Sequence, residues 1–395
     1  MHNWGDVAML ATAVERLGAP GDGELHVLTR SPERIRELRD DVVPVVVGRP
    51  ARGFDTSGGL ARRLKRTARA ALPAGVVRRI RDRGRGGGLP SSVRAAIEGA
   101  SLLVCSGGGY LAGTFPRKTA FTLDVLDAAA EAGVPTALLG QGLGPFDDDA
   151  TVRRLGRALR AASIVSLRDP EASLRLVQEL GVAPQHVHVT GDDAIELAAA
   201  AGPDGPRDAI GVNMRSTDYS RIGPASERAL GEALATAVGA TGATPCPIPI
   251  ASTPTYSDVE TIRRVLAHAG VASDGGASVS SLRDLFRAVA SCRTVVTASY
   301  HGAVFALAQG ATVVALTASD YYDAKFAGLA SAFDVPGACT VVRVDGDDLA
   351  GRLDTAILDA WRDAERCAPL LRDAASRQVR ASRSAYQAAR ACARP

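Results

Sequence analysis

Short apolar runs alternate with segments of helical periodicity along almost the whole chain. Apolar strands separated by helices are typical of parallel sheets that helices cover on both faces. Helical periodicity is clearest over residues 121–132 and 282–290. The predicted strands are Leu25–Leu28, Val42–Val47, Leu102–Ser106, Thr136–Gly140, Ile164–Leu167, Val187–Thr190, Ile210–Asn213, Cys246–Ile250, Thr294–Thr297, Val313–Leu316 and Thr340–Val344.

A stretch rich in Ala, Gly, Pro and Asp, residues 198–208, interrupts this alternation, which restarts at Ile210. We therefore predict an α/β fold with two Rossmann-like domains that face one cleft. The N-terminal domain is predicted over residues 1–200 and the C-terminal domain over residues 207–345. Residues 346–395, rich in Ala and Arg, are predicted to form C-terminal helices that pack back across both domains.

The composition is that of an ordinary globular protein, with 46% hydrophobic and 23% charged residues. The six cysteines are scattered and include no Cys-x-x-Cys pair, which argues against a zinc site and favours a reducing compartment. The first residues do not resemble a signal peptide, and the longest apolar run, residues 303–318, is short for a bilayer span. We therefore expect a cytoplasmic protein.

Charge is distributed unevenly, because residues 49–94 contain 13 Arg and Lys against 2 acidic residues, whereas the whole chain has a net charge of +3. This basic segment is interpreted as an insertion in the first domain, since the glycines at 86–88 interrupt its short apolar face. The alternative is a peripheral contact with the inner face of an anionic membrane. Nucleic acid is not an expected partner, because Phe54 is the segment's one aromatic residue.

One histidine follows a predicted buried strand directly. His301 lies just beyond the strand at 294–297, which places its imidazole at the carboxyl edge of a sheet, where open α/β sheets bind ligands. Imidazole is suited to proton transfer near neutral pH. The alternative is a histidine that only caps the next helix.

Further polar clusters follow other predicted strands, and each alone is more often a cap or a turn than a ligand contact. Together they place cations and a glycine-rich anion nest around one cleft, which predicts a site for a small, multiply charged anion. The clusters are Ser106 to Tyr110, Gly140 to Pro145, Ser166 to Asp169, Gly191 to Asp193, Asn213 to Arg215 and Ser319 to Lys325.

Several motifs are missing. The chain has no Gly-x-x-x-x-Gly-Lys, no Gly-x-Gly-x-x-Gly and no Gly-x-Ser-x-Gly, which argues against a P-loop nucleotidase, a dinucleotide enzyme and a hydrolase with a nucleophile elbow. The acidic run at 147–149 is interpreted as a helix cap rather than a metal site. We expect neither a metal nor a cofactor.

Taken in order, the motifs resemble those of the polysaccharide pyruvyl transferase family over roughly residues 1–335. The resemblance implies a two-domain fold similar to GT-B glycosyltransferases. It also implies transfer of pyruvate from phosphoenolpyruvate to two hydroxyls of a sugar, giving a cyclic ketal on a cell-surface glycan or its precursor. The matching pieces are Asn3-Trp4-Gly5-Asp6, Gly107 to Gly109, Gly140-Gln141-Gly142 with Pro145, Ser166-Leu167-Arg168-Asp169, Thr190-Gly191-Asp192, and the strand–His–helix ending in Val304-Phe305-Ala306.

This resemblance gives the candidate residues their expected roles. His301 is the acid that protonates C3 of phosphoenolpyruvate, or the base that deprotonates the acceptor. Arg168 and Arg215 clamp the anion, and Lys325 binds the departing phosphate. The expected partners are phosphoenolpyruvate, as donor substrate, and a glycan or lipid-linked sugar acceptor. The remaining expected substrate-binding residues are Asn3, Asp6, Gly108, Gly109, Gln141, Asn213 and Ser299.

Two features depart from the family pattern. Members often have an arginine two residues before the histidine, where this chain has Ser299, so the missing charge has to come from Arg215, Arg293 or Lys325. A strand normally precedes the Asn-x-Gly-Asp loop. We expect either a start site downstream of the true one or a first domain without its first strand.

Two other functions stay open at this point. A GT-B-like glycosyltransferase that uses a nucleotide sugar would share the fold. Ser299 also leaves room for a non-catalytic binding member of the family.

Overall fold

The structure is a computed structural model that describes residues 2–18, 23–47, 88–202, 205–215, 222–252 and 257–395. Most of the predicted basic insertion, residues 49–87, lies outside the described residues. In the described residues no helix has the length and apolarity needed to cross a membrane.

The first half alternates strands and helices up to residue 200. Its elements are β1 (His2–Asn3), α1 (Trp4–Leu17), β2 (His26–Thr29), α2 (Pro32–Leu38), β3 (Val43–Val46), α3 (Ser91–Glu98), β4 (Leu103–Cys105), β5 (Gly108–Leu111), α4 (Pro116–Glu131), β6 (Thr136–Leu143), α5 (Asp149–Ala161), β7 (Ile164–Leu167), α6 (Ala172–Glu179), a 3₁₀ turn (Pro184–His186), β8 (Val187–Val189) and α7 (Ala194–Ala200).

The second half repeats the alternation and ends in one long helix. Its elements are β9 (Ala209–Asn213), α8 (Pro224–Thr241), β10 (Thr244–Pro247), β11 (Ala251–Ser252), α9 (Asp258–His268), α10 (Leu282–Ala290), β12 (Cys292–Thr297), α11 (Tyr300–Ala308), β13 (Thr312–Thr317), α12 (Asp320–Phe333), β14 (Cys339–Arg343) and α13 (Leu349–Ala391).

Each half has its own parallel sheet. In the first half the strand order is β4-β6-β7-β8, with β5 beside the last residues of β6, and β2 and β3 form a separate parallel pair. In the second half the order is β10-β9-β12-β13-β14. The predicted α/β class with two Rossmann-like units is therefore confirmed.

The connections between the halves are extensive. Strand β1 pairs antiparallel with β11, so the described residues before β2 add no strand to the sheets of the first half. The largest hydrophobic core combines Met9 of α1 and Ile195 of α7 with Phe305 of α11 and Leu371 of α13. The predicted packing of the tail across both halves is confirmed, and it consists of the single helix α13.

Every strand predicted from an apolar run is present, but the bounds of two strands and the position of two glycines need correction. The strand predicted to end at Gly140 continues to Leu143, because β5 pairs with its last residues. Gly108 and Gly109, predicted in an anion-binding turn, lie in β5. The strand predicted at 246–250 ends at Pro247, in a segment where every second residue is a proline, which lacks an N–H for a sheet hydrogen bond.

Helix α13 is anchored on the first half by a buried carboxylate. Asp193 accepts hydrogen bonds from Ser382 Oγ at 2.9 Å and from Tyr386 Oη at 2.8 Å. Burial raises the pKa of Asp193 to about 6, although the Tyr386 hydrogen bond pulls it downwards. The charged form is therefore tolerated near neutral pH because two hydroxyls stabilise it.

We predict that Tyr386→Phe destabilises the protein by about 1–3 kcal/mol at pH 7.5, because it leaves a buried carboxylate with one hydroxyl donor fewer. Losing this donor raises the folded-state pKa of Asp193 further, so the added instability appears as the pH rises through that pKa and is smaller at pH 5. The urea midpoint at the two pH values measures this, with the exposed Ser384→Ala as control. Equal midpoint shifts at both pH values would contradict the role of Asp193.

Candidate functional site

His301 enters the site through the turn between β12 and α11. Thr297 Oγ1 accepts a hydrogen bond from the Ser299 backbone N–H at 2.9 Å and itself donates to Asn213 Oδ1 at 2.9 Å. These bonds fix the turn, so His301 lies on the first turn of α11 at the carboxyl end of β12. Ser299 is the N-cap residue, is 5% exposed, and makes no side-chain cap bond.

The first half packs tightly on the imidazole. A Cβ at Gly5 would lie 2.0 Å from His301 Nδ1, so only glycine leaves room for the ring there. On its other side, His301 Nε2 lies 3.9 Å from Asp192 Oδ2 and has no hydrogen-bond partner among the described residues. The N-terminus of α1 and the end of β8 therefore hold the ring between them.

Arg168 follows β7 and is buried beside the same carboxylate. Its Nη1 donates to Asp192 Oδ2 at 3.1 Å, and both side chains are at most 4% exposed. A Cβ at Gly109 or at Gly142 would lie 2.5 Å from a guanidinium nitrogen, so these glycines make room for Arg168. The guanidinium carbon also lies 4.3 Å from the centre of the Tyr300 ring.

Lys325 reaches the cluster from α12 of the second half. Its Nζ lies 5.3 Å from the Tyr300 ring centre and 4.8 Å from that of Tyr321. A Cβ at Gly109 would lie 3.4 Å from Nζ, which places the ammonium next to Arg168. Arg168, His301 and Lys325 thus surround the Tyr300 ring, and both halves of the chain contribute to the cluster.

Burial determines the protonation of two of these groups. Burial and the Arg168 guanidinium lower the pKa of Lys325 to about 7, against the opposing effect of the Asp192 and Asp6 carboxylates. Burial likewise lowers the pKa of His301 below its usual 6.5, and the same two carboxylates offset this only in part. At neutral pH the imidazole is therefore neutral, and the Lys325 amine is present in both protonation states.

Asn213 and Gln141, both predicted to bind substrate, are fully buried. Asn213 Nδ2 donates to Ile248 O and to Asp258 Oδ2, and its Oδ1 accepts from Thr297. Gln141 Nε2 is shared among acceptors around β4 and β5, including Ser106 O at 2.7 Å. Both side-chain amides therefore form hydrogen bonds that connect elements inside the protein.

The predicted residues at the N-terminus have different positions. Asn3 caps α1, since its Oδ1 accepts from the Gly5 N–H at 3.2 Å. Asp6 is exposed in the first turn of α1 and is close enough to influence both His301 and Lys325. Gly108 lies in β5 opposite Gln141, with a positive φ of 143°.

Arg215 and Arg293 are also candidates for the positive charge that is missing at Ser299, but each of them pairs with a carboxylate outside the cluster. Arg215 follows β9 and forms an ion pair with the buried Asp258, with Nε 2.9 Å from Oδ1. Arg293 lies near the start of β12, at the end of the strand opposite His301, and pairs with Glu365 at 3.1 Å. Of the three cations proposed to replace the missing arginine, Lys325 is therefore the one found beside Arg168.

The sequence gives no individual role to two central residues, Asp192 and Tyr300. It places the turn 191–193 among the polar clusters at the cleft, and in the structure Asp192 pairs with Arg168 and faces His301. Tyr300, 7% exposed, is the ring on which the cluster packs. The signal that was available is the position of both residues at strand ends on the carboxyl edge. Among the described residues, no group of three or more His, Cys, Asp or Glu could hold a metal ion.

Comparison with known families identifies the chain's relatives. The model of the polysaccharide pyruvyl transferase family matches residues 3–320. The chain belongs to this family. It is a family of transferases, and its matched region contains Asp192, Arg168 and His301. No curated protein sequence matches the chain significantly.

Solved structures similar to this one are GT-B-type epimerases. The UDP-GlcNAc 2-epimerase of Neisseria meningitidis, bound to UDP-GlcNAc, has a TM-score of 0.54 at 10% identity, covering 98% of this chain and 97% of the other. The UDP-GlcNAc 2-epimerase of Methanocaldococcus jannaschii has a TM-score of 0.52 at 10% identity, covering 91% and 89%. At such identities the similarity shows a shared fold.

We predict that His301 titrates with a midpoint below 6.5 and that Asp192→Asn lowers the midpoint further. Removing a carboxylate that favours the imidazolium makes protonation harder, so the shift is downwards. NMR titration of the imidazole, assigned by its loss in His301→Gln, measures both midpoints, and the exposed Asp373→Asn is the control. A midpoint above 6.5, or one that rises in Asp192→Asn, would refute this description of the site.

Proposed function

We propose that this chain transfers the pyruvyl group of phosphoenolpyruvate to two hydroxyls of one sugar, forming a cyclic ketal and releasing phosphate. One observation supports this most: Arg168, Lys325 and His301 surround one aromatic ring in a member of the polysaccharide pyruvyl transferase family. The acceptor is a cell-surface glycan or its lipid-linked precursor.

The charges of the donor suit this cluster. Phosphoenolpyruvate has a carboxylate and a phosphate, and Arg168 presents a planar guanidinium that can bind either through two parallel hydrogen bonds. Lys325 supplies a compact second charge, which suits binding of the donor's phosphate before the reaction begins. With Ser299 in place of the family's arginine, Lys325 provides the second cation of the donor site.

The reaction also needs a group that moves protons, because C3 gains a proton while the acceptor hydroxyls lose theirs. His301 Nε2 has no hydrogen-bond partner in the described part of the chain and is neutral near pH 7. It is therefore free to accept a proton from an acceptor hydroxyl.

The acceptor follows from ring geometry. One carbon bonded to two oxygens of the same sugar closes a small ring only when the hydroxyls are adjacent or in a 1,3 relation. The assay therefore uses phosphoenolpyruvate with hexosides and lipid-linked oligosaccharides that present such pairs, and measures phosphate release and the ketal by mass spectrometry.

We expect His301→Gln to lower the rate of ketal formation by about 100-fold or more while phosphoenolpyruvate still binds. The exposed His268→Gln is the control and should keep the wild-type rate. If wild-type protein releases no phosphate with any acceptor and calorimetry shows no donor binding, the proposed function is wrong. Binding of a nucleotide sugar instead would support the glycosyltransferase alternative, and any sugar turnover would exclude the non-catalytic one.

Donor affinity should depend on pH through Lys325. The bound trianion stabilises the ammonium, so above its pKa of about 7 binding must take up a proton. We expect phosphoenolpyruvate to bind roughly tenfold more weakly at pH 8.5 than at pH 7. Calorimetry in buffers of different ionisation enthalpy measures the proton uptake. Lys325→Arg should remove the pH dependence, whereas the exposed Lys118→Arg should leave it unchanged.

The alternative interpretation of residues 49–94, a peripheral contact with an anionic membrane, stays a prediction. It would bring the site to the surface that carries a lipid-linked acceptor.

A further inference from the structure

We propose that Lys325 is a catalytic residue of this reaction, whose ammonium donates the proton to C3 of phosphoenolpyruvate while His301 accepts the proton of the attacking hydroxyl. The inference rests on the proposed function and deepens it, because it separates the acid from the base. It also gives Lys325 a role in proton transfer, in addition to binding the anion through its positive charge.

The first argument is the lack of partners of Lys325. Its Nζ contacts the rings of Tyr300, Tyr321 and Tyr322, at 5.3, 4.8 and 5.7 Å from their centres, and among the described residues it forms no hydrogen bond or ion pair. Aromatic faces stabilise a cation but accept its proton poorly, so the ammonium keeps its protons available for a ligand. A lysine that served only as structure would be expected to pair with a carboxylate.

The second argument is the contrast with Arg168. That guanidinium already donates to Asp192 and stays charged at any working pH, so it can anchor an anion but cannot supply a proton. His301 Nε2, by contrast, lacks a hydrogen-bond partner in the part of the chain that the structure describes. The cluster therefore contains one fixed charge and two groups able to exchange protons.

The third argument is placement. The rings of Tyr300 and His301 are 5.5 Å apart and nearly perpendicular, whereas the Lys325 amine contacts the Tyr300 ring from α12. Acid and base thus approach the cluster from separate elements. An addition across the C2–C3 double bond needs an acid at one carbon and a base at the hydroxyl that attacks its neighbour, and two groups on separate elements can serve these two places.

The surrounding charges are compatible with these roles. Burial and Arg168 lower the pKa of Lys325 to about 7, which makes its ammonium a stronger acid than that of an exposed lysine, and the lowered pKa of His301 keeps it neutral and able to accept a proton. The groups that act on one or both of them are Asp6, Arg168, Asp169, Asp192, Tyr300, Tyr321 and Tyr322.

The proton balance closes over one cycle. In the first step Lys325 gives a proton to C3, the first hydroxyl oxygen bonds to C2, and its proton passes to His301. In the second step the bond from C2 to the phosphate oxygen breaks, and the leaving phosphate takes the proton of His301. The second hydroxyl oxygen bonds to C2 and returns its proton to Lys325, so both residues regain their starting states.

The decisive variant is Lys325→Arg, which keeps the charge but has no proton to give near neutral pH. We expect its dissociation constant for phosphoenolpyruvate at pH 7 to stay within about threefold of wild type while kcat falls by about 100-fold or more. In the wild-type pH profile of kcat the alkaline limb reports loss of the ammonium, and that limb should vanish in the variant. Lys118→Arg should match wild type in all three quantities.

A Lys325→Arg protein that keeps kcat within about tenfold of wild type, or keeps the alkaline limb, overturns the inference. If this variant does not fold, Lys325→Ala replaces it and is assayed with and without added methylamine. Turnover that rises with the amine supports the proposal, and turnover that does not respond to the amine overturns it. All these outcomes require that the wild-type enzyme is active. Failure of the proposed function is different, because the wild-type protein itself would then neither bind phosphoenolpyruvate nor release phosphate.

Discussion

The burial of one guanidinium is the constraint from which the site follows. An unpaired charge removed from water is costly, so Arg168 can lie at 3% exposure only because Asp192 lies equally buried beside it. The pair also needs space, which Gly109 and Gly142 supply by having no side chain. The strands β5, β6, β7 and β8 meet at this point, so the ion pair fixes the edge of the first sheet against which His301 of the second half packs.

The carboxylate of Asp193, the residue after Asp192, links the site to the C-terminal helix. Asp192 faces Arg168 and His301, whereas Asp193, the next residue, accepts hydrogen bonds from Ser382 and Tyr386 of α13. Adjacent residues therefore bind the cluster on one side and the C-terminal helix on the other. Because Asp192 and Asp193 are consecutive, the hydrogen bonds from α13 to Asp193 also hold the turn that carries Asp192.

The sequence predicts the sheets better than it predicts the contacts between side chains. A parallel strand buried on both faces needs a nearly continuous apolar run, so β13, with four consecutive apolar residues at 313–316, can be recognised from the sequence alone. Strands β1, β5 and β11 are short or rich in glycine, and they form because a partner strand lies next to them, which local sequence does not encode.

The candidate site residues differ in the same way: their positions at the sheet edge can be predicted from the sequence, but their hydrogen-bond partners cannot. His301 and Arg168 each follow a buried strand, and the carboxyl edge of a sheet brings such residues together. Asn213 is the last residue of a buried strand, but its amide is bonded to Asp258 at the start of α9 and to Thr297 at the end of β12. Position at a strand end thus predicts proximity to the edge, whereas the partner that each polar group takes depends on the packing around it.

The charge of the cluster is compatible with Ser299 at the position where the family resemblance leads us to expect an arginine. Arg168 is balanced by Asp192, and a second permanent cation at position 299 would lie in the same buried space without a carboxylate of its own. A lysine reduces this cost, because an amine with a pKa of about 7 is only partly protonated near neutral pH, and a bound anion would favour its charged form. An arginine cannot do so, since it stays charged throughout. In the proposed reaction, a lysine at another position would therefore change more than the location of the charge, because it would couple the binding of phosphoenolpyruvate to the proton that C3 receives.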